Sequence, residues 1–296
     1  MSWLPERPEV WDTFFYAHEP ATTIALFRIL FGLVLLANAL LFARQARLWI
    51  GEQGVLPKKR FLEAFGHSRF TLLAYLPPAD KWVSVVLGAQ LVAAACLTVG
   101  LATRLSAAIV FVTLASLQHR NPLVLYGGDH VLRIMSFLLI FSRAGEVWSL
   151  DQWLGARTGA VAVEGTAWCT RLMQLQVSIV YLKAALAKLG GETWRHGSAV
   201  YYAVESAAFR RARLPHFARN LFSSRLATWG TLAVEFALGG LIWVPALRYP
   251  TLLAGVTLHL LMEAFMNLQL FGVTMIVCLT LFIEPQVLEA ILGRLR

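Results

Sequence analysis

The sequence predicts an all-α fold: a polytopic membrane bundle of about eight transmembrane or partial-span helices, in one domain over residues 1–296. Three observations predict it. Of 296 residues, 58% are hydrophobic and 15% charged, against roughly 45–50% and about 25% in an ordinary soluble domain. Apolar runs near the length of a bilayer crossing recur along the whole chain. Tryptophans fall at the ends of those runs, at Trp49, Trp82, Trp148, Trp194 and Trp229, where an indole keeps its ring in the acyl boundary and its N–H in water. A soluble fold needs helices with polar outer faces, so hydrocarbon must receive the surplus apolar surface. The lipid bilayer is therefore the first expected partner.

A crossing takes about 20 apolar residues, with a range of about 17–25. Ile24–Phe42 meets it, interrupted only by Arg28 and Asn38. The stretch Ala43–Lys81, with Gly54 and the Pro77-Pro78 pair, is too broken to span. Trp82–Ala102 is the second run; Thr103-Arg104 breaks the chain, and Leu105–Leu117 is the third. Asn121-Pro122 and Gly127-Gly128 punctuate the next connection, and the short run Val131–Phe141 reads as a partial or tilted span. Ser142–Thr166 is polar and reads as a loop or surface helix. Ala167–Leu189 is the fifth run. The connection Gly190–Ser224 carries Arg195, Arg210, Arg211, Arg213 and Arg219. Leu226–Val244, Thr251–Phe271 and Val273–Ile283 complete the series. Eight crossings put the two long basic connections on one side, which the excess of Lys and Arg assigns to the cytoplasm.

Several function classes fall away. The formal net charge is +9, but no basic face with interleaved aromatics marks a nucleic-acid surface; basic loops over anionic headgroups account for the charge, and no nucleic acid is expected. Cys96, Cys169 and Cys278 lie in or at the start of apolar runs, without metal or redox spacing. Met1–Ala17 has acidic residues and prolines but no basic leader, so a short interfacial segment is expected rather than a cleavable signal. No Gly-rich phosphate loop, nucleophile elbow or paired-cysteine motif appears. No repeat of 20–50 residues and no inverted repeat is apparent, which disfavours a transporter.

The informative residues are the ionisable ones inside apolar runs: Arg28, Lys183, Lys188, Glu235, His259 and Glu263. Each costs about 2.5–3.5 kcal/mol at mid-bilayer unless it faces a partner or a wet cavity. Lys183 and Lys188 point about 140° apart on a helix, whereas Tyr181 and Lys188 share a face. Either lysine could snorkel to the headgroups, or a desolvated amine could act as a base. Glu235 lies mid-run and needs a proton or a cation, for which a lysine of the fifth run is the natural candidate. His259 and Glu263 share a helix face; two ligands on one helix are a weak metal signal, so a hydrogen-bonded polar patch is expected and no metal. Near the third connection, Asp129 reads as an N-cap after glycines that can also pair with Arg133, leaving His130 without a structural role.

In order along the chain stand Phe27-Arg28-Ile29-Leu30-Phe31-Gly32-Leu33, Gly54-Val55-Leu56-Pro57 and Gly100-Leu101-Ala102-Thr103-Arg104. Arg120-Asn121-Pro122, Gly128-Asp129, Val131-Leu132-Arg133 and Trp148-Ser149-Leu150-Asp151 follow. Tyr181…Lys188-Leu189…Trp194…Gly197 and His259…Met266-Asn267…Phe271 complete the set. Together they resemble the horizontally transferred transmembrane (HTTM) domain family, which is similar to the membrane half of vitamin K-dependent gamma-carboxylase. That enzyme uses a lysine to deprotonate a quinol, and the resemblance implies that Lys188, ahead of Leu189 and Trp194, is the matching base and that His130 matches a carboxylase histidine. The chain departs from the pattern at Ala187, where the carboxylase has a second lysine, and before Met266-Asn267, where the carboxylase has a histidine and this chain has Ala264-Phe265. The carboxylase's large lumenal domain has no counterpart. Other members resemble membrane components of bacterial peptide-toxin maturation.

The expectation is a membrane-embedded lysine-base enzyme, carboxylase-like or a quinol-linked lyase or oxidoreductase. Lys188 and His130 are its candidate catalytic residues, and Glu235 and His259 support them. Its substrate would be quinol-like or a peptide or protein, with a quinol implied by the resemblance alone, and its place the inner membrane of a bacterial-type cell. The alternative is a non-catalytic membrane subunit for peptide or protein maturation or assembly, whose buried charges would join helices at about 1–2 kcal/mol each.

Overall fold

A computed structural model of the protein describes residues 9–157 and 165–293. Among the described residues the secondary structure is helical, apart from isolated bridges between His18 and Thr166 and between Arg210 and Met266. The chain forms two compact units, residues 1–171 with 284–296 and residues 172–283.

The first unit begins with α1 (Glu9–Tyr16), which exposes Val10, Trp11 and Tyr16 as an interfacial segment does. Helix α2 (Thr22–Ala43) follows, then three short helices within the broken stretch: α3 (Ala46–Ile50), α4 (Lys58–Phe65) and α5 (Leu72–Tyr75). Next come α6 (Asp80–Val99), α7 (Thr103–Arg120), α8 (Gly127–Leu139) and α9 (Leu150–Arg157). Within the expected polar connection Ser142–Thr166, residues 158–164 lie outside the described residues. Helix α10 (Trp168–Leu189) leads into the second unit, which holds α11 (Glu192–His196), α12 (Ala199–Glu205), α13 (Leu221–Gly239), α14 (Pro245–Phe265) and α15 (Phe271–Leu279). The last helix, α16 (Pro285–Gly293), belongs to the first unit.

Three helices, α2, α6 and α10, are long and apolar enough to cross a bilayer, or four crossings if the bent pair Phe271–Phe282 and Pro285–Ile291 forms one. The other expected runs form helices of 18, 13, 19 and 21 residues in α7, α8, α13 and α14. They are shorter or more polar: α7 ends in Gln118, His119 and Arg120, and α14 carries Arg248, His259 and Glu263. Helix α14 also starts six residues before its apolar run. Pro245 occupies its first turn, where the missing N–H costs nothing.

In the first unit α2 packs on α6, α6 on α7 and α7 on α8. The α2–α6 approach is close enough to require glycine. A Cβ on Gly32 would lie 2.9 Å from Thr98 Cα and 3.0 Å from its backbone nitrogen. At the end near α5, buried Ala39, Ile50, Leu73, Val83, Leu87 and Leu117 form an apolar cluster.

At the opposite end α6 stops in a left-handed cap: Gly100 has φ 73°, and the Leu101 N–H reaches back to the Cys96 carbonyl at 2.8 Å. The turn into α7 is held by Asp151. Its carboxylate accepts the Ala102 N–H at 2.6 Å, the Thr103 N–H at 2.8 Å and the Thr103 hydroxyl at 2.7 Å. Its own N–H donates to the Gly100 carbonyl at 2.9 Å. Arg28 of α2 is fully buried beside this turn and donates to the Trp148 carbonyl at 2.6 Å. Three separate stretches, around Arg28, Gly100–Thr103 and Trp148–Asp151, thus meet at one place.

Gly32→Ala is expected to destabilise the protein by about 1–3 kcal/mol, because the added carbon meets backbone. Gly88→Ala, with nothing within 4 Å of the new carbon, is expected to gain about 0.5–1 kcal/mol from helix propensity. Thermal melts of the two variants in one detergent compare them directly.

Burial opposes ionisation of Asp151, but the hydrogen bonds from Thr103 and Ala102 and the nearby Arg28 charge outweigh it and hold the carboxyl below its ordinary 3.8. A carboxyl depressed in the folded state stabilises fully above its unfolded value and loses that contribution as pH falls through the folded one. Melting temperature followed from pH 6 downward should therefore fall more steeply for the wild type than for Asp151→Asn; parallel curves would contradict the assignment.

Candidate functional site

In the second unit, Tyr181 and Lys188 lie two turns apart on one face of α10. Helix α10 is fixed within its unit by polar contacts that leave no loose end. The Gln174 amide donates to the Leu281 carbonyl at 2.7 Å, and the Trp243 indole donates to the Ser178 hydroxyl at 2.9 Å. Gly239 of α13 packs on Leu182, where a Cβ would sit 3.2 Å from the leucine Cβ. This close approach puts Glu235, one turn earlier on α13, level with the last turn of α10.

Lys188 Nζ donates to Glu235 Oε1 in a hydrogen-bonded ion pair. Glu235 is the more enclosed partner: its side chain is 10% exposed and that of Lys188 26%. The ammonium also lies 5.3 Å from the centroid of the Trp194 ring, within cation–π range. That ring is brought in by the Gly190-Gly191 break, where the Gly191 N–H closes α10 on the Lys188 carbonyl at 2.9 Å and α11 starts at once. The second carboxylate oxygen, Glu235 Oε2, is buried without a protein partner.

Beside this pair, the Tyr181 hydroxyl and His259 Nε2 are 2.7 Å apart, and both residues are buried. The His259 ring meets Phe271 edge-on at 5.9 Å, and its Nδ1 has no partner. Gly255 allows α14 this close: a Cβ there would lie 2.9 Å from Leu238 and 3.0 Å from Leu279. The shared face of His259 and Glu263 does not keep them on one partner. Glu263 accepts the Gly272 N–H at 3.1 Å and lies 3.4 Å from Arg211, so it braces the α14–α15 elbow. The loop before it is strapped on as well, by Arg211 N–H to the Phe265 carbonyl at 2.9 Å and Asn267 N–H to the Phe209 carbonyl at 2.5 Å.

The second unit therefore collects three of the four sequence candidates, Lys188, Glu235 and His259. Lys183 is exposed on the flank of α10, where a snorkelling lysine belongs. His130 belongs to the first unit, in the first turn of α8, with Nδ1 2.8 Å from an Arg133 guanidinium nitrogen. Asp129 sits at the third position of α8 and accepts the Tyr126 N–H at 3.2 Å. It caps the helix from inside rather than as the N-cap, because Tyr126 already takes the extended N-cap conformation. Arg133 donates to Gln118 and His130 through one N–H each and forms no ion pair with Asp129. Sequence reasoning missed the Tyr181–His259 bond and the Trp194 contact. Tyr181 sharing a face with Lys188 was the available signal for the first. Among the described residues no group of three or more His, Cys, Asp or Glu side chains could hold a metal ion.

What the helices and this arrangement define is an integral membrane protein with a polar site enclosed by helices. The chain belongs to the HTTM domain family, whose family model matches residues 16–286. It is similar to the uncharacterised protein YitO of Bacillus subtilis strain 168, with 25% identity over 69% of this chain and 66% of the relative. It is also similar to the sporulation-delaying protein SdpB of the same organism, with 25% identity over 56% of this chain and 53% of the relative. The matches thus span under two thirds of these relatives' own lengths. No solved structure matches the chain.

Removing one member of the ion pair leaves the other uncompensated. Lys188→Met is expected to cost about 2 kcal/mol, below the ~3–5 of fully buried pairs because the lysine is partly open. Adding Glu235→Leu should restore much of that loss, and a double-mutant cycle on unfolding in detergent measures the coupling.

Proposed function

We propose that the protein is a membrane-embedded enzyme in which Lys188 is the base and Glu235 its proton-holding partner. The observation that carries this reading is the Lys188–Glu235 pair itself, enclosed by helices and leaving Glu235 Oε2 free of protein partners. Moving the shared proton from the ammonium to the carboxylate gives a neutral amine beside a carboxylic acid. The amine can then take a proton from an acidic O–H or N–H brought against it, giving an ammonium that pairs with the substrate anion while Glu235 keeps the first proton as a carboxylic acid. Trp194 covers the amine and limits water. His259, through the Tyr181 hydroxyl, orients a second polar group, with Nδ1 left open to receive one.

The donor set fits a quinol-like aromatic diol or a peptide: an unpartnered carboxylate oxygen, an unpartnered imidazole nitrogen and flanking aromatic rings. A quinol would supply an acidic phenolic proton. The resemblance to the membrane half of vitamin K-dependent gamma-carboxylase supports the lysine role. The whole chain is taken as one membrane domain. Its remaining helices complete about eight crossings or partial crossings, and the Bacillus relatives support a bacterial cell membrane.

The test uses purified full-length protein. Lipid extracts are analysed by mass spectrometry for retained quinone, and oxidation of added quinol by dissolved dioxygen, which takes up the two electrons, is followed by absorbance. Lys188→Ala is expected to lower turnover by roughly 10²–10⁴-fold, the usual worth of a positioned acid–base group, while its elution profile stays that of the wild type. A folded Lys188→Ala protein with full turnover, or a wild type that neither retains nor turns over quinol, would favour the second reading. That reading is a non-catalytic maturation or assembly subunit acting with a peptide or protein, and it draws on the basic connection Gly190–Ser224.

A further inference from the structure

The end of the first unit near α5 carries a second polar cluster that the lysine chemistry does not use. Its framework is the last turn of α7, which two other segments are tied to. On one side, the Thr71 hydroxyl donates to the Ser116 carbonyl at 2.8 Å, the Leu72 N–H donates to the Ser116 hydroxyl at 2.9 Å, and His119 Nδ1 donates to the Phe70 carbonyl at 2.8 Å. These bonds set Arg69 beside His119. On the other side, the Gln118 amide donates to the Asp129 carbonyl at 3.2 Å, and Arg133 donates to Gln118 Oε1 at 3.1 Å. His130 is thereby brought to the same turn, and the charges of Arg69 and Arg133 bear on both histidines.

Hydrogen-bond chemistry fixes what this cluster offers. A guanidinium only donates, so His130 Nδ1 must accept from Arg133. His130 is then held with its proton on Nε2, as a donor on an exposed residue. Arg133 spends these bonds on two neutral acceptors. The Arg69 N–H donates to the Phe65 carbonyl at 3.1 Å, but its guanidinium makes no hydrogen bond or ion pair among the described residues. The acidic side chain that bears on Arg133 is Asp129, and it is occupied by the Tyr126 N–H and the Gln118 amide at 3.3 Å. Two guanidinium groups and an outward imidazole N–H therefore converge without a paired carboxylate, and this is a donor set for an oxyanion.

We propose that Arg69, Arg133 and His130 form a binding site for a phosphate-type oxyanion, carried by a lipid headgroup or by a soluble phosphate compound. The site stands independently of Lys188 and would serve a catalytic or a non-catalytic protein equally. Two arms of one experiment separate the sources. Inorganic phosphate is titrated into the full-length protein in neutral detergent, with melting temperature as the readout. In the second arm, phosphatidylglycerol is titrated in phosphatidylcholine nanodiscs and retained lipid is measured by native mass spectrometry.

Binding in either arm that weakens about tenfold or more in Arg69→Ala and in Arg133→Gln, but not in Arg104→Ala, supports the site, and the responsive arm names the source. Arg69→Ala removes no internal bond, so its fold is expected to survive and its loss of binding is informative by itself. Wild-type protein that binds neither probe overturns the proposal. So does binding at wild-type strength in both Arg69→Ala and Arg133→Gln.

Discussion

A charge or backbone group removed from water has to be answered by the protein itself, and that constraint organises this chain more than any single apolar contact. Hydrocarbon is indifferent to which leucine meets which, so helix order here is set where polar groups and close backbones force a choice. Arg28 shows how. Its guanidinium is enclosed by α2, the α6–α7 turn and the segment before α9, and it binds the Trp148 carbonyl. Trp148 itself adopts a positive φ of 51°, a conformation a bulky residue takes only when its surroundings impose it. Asp151, three residues on, closes the α6–α7 turn through three hydrogen bonds. A buried cation, a strained backbone and a tight turn hold one another.

The same constraint explains how much could be read beforehand. Helix positions were legible because they follow the apolar runs: Ile24–Phe42 became α2, Trp82–Ala102 became α6 and Ala167–Leu189 became α10. The need of Glu235 for a cation from the fifth run was legible too, since an isolated carboxylate there is too costly. Which lysine answers was not. Lys183 and Lys188 differ in angle around α10, and the choice rests on Gly239 letting α13 approach Leu182. A pairwise packing distance of that kind leaves no mark on either helix's periodicity. The Tyr181–His259 bond, between residues 78 apart in sequence, is a tertiary fact of the same sort.

The motifs that run in order along the chain also change meaning in three dimensions. Those around Arg28, Gly100–Arg104 and Trp148–Asp151 are separate in sequence but form one polar junction. Arg120-Asn121-Pro122 does comparable service near α5: Arg120 is buried with its guanidinium 5.0 Å from the Phe61 ring, and the Asn121 amide donates to the Trp49 carbonyl at 3.0 Å. These stretches read as structure. The block Tyr181…Lys188…Trp194 with His259 differs in grouping an amine, a carboxylate, a phenol and an imidazole; its Glu235 Oε2 and His259 Nδ1 are without protein partners, as are Arg28 Nε and Nη1 and Arg120 Nη1 and Nη2 in the other stretches.

Helix association does not require that second block. Helices α10, α13 and α14 are already drawn together at small residues, Gly239 against Leu182 and Gly255 against Leu238 and Leu279, which is how helices associate in lipid. An enclosed ion pair adds little to such packing. The desolvation of two charges offsets most of their attraction, and well-packed apolar residues of similar volume generally serve stability as well or better. Stability therefore gives a weak reason for placing an amine, a carboxylate, a phenol and an imidazole in one helix-lined region. The proposed proton transfer between Lys188 and Glu235 would give a stronger one.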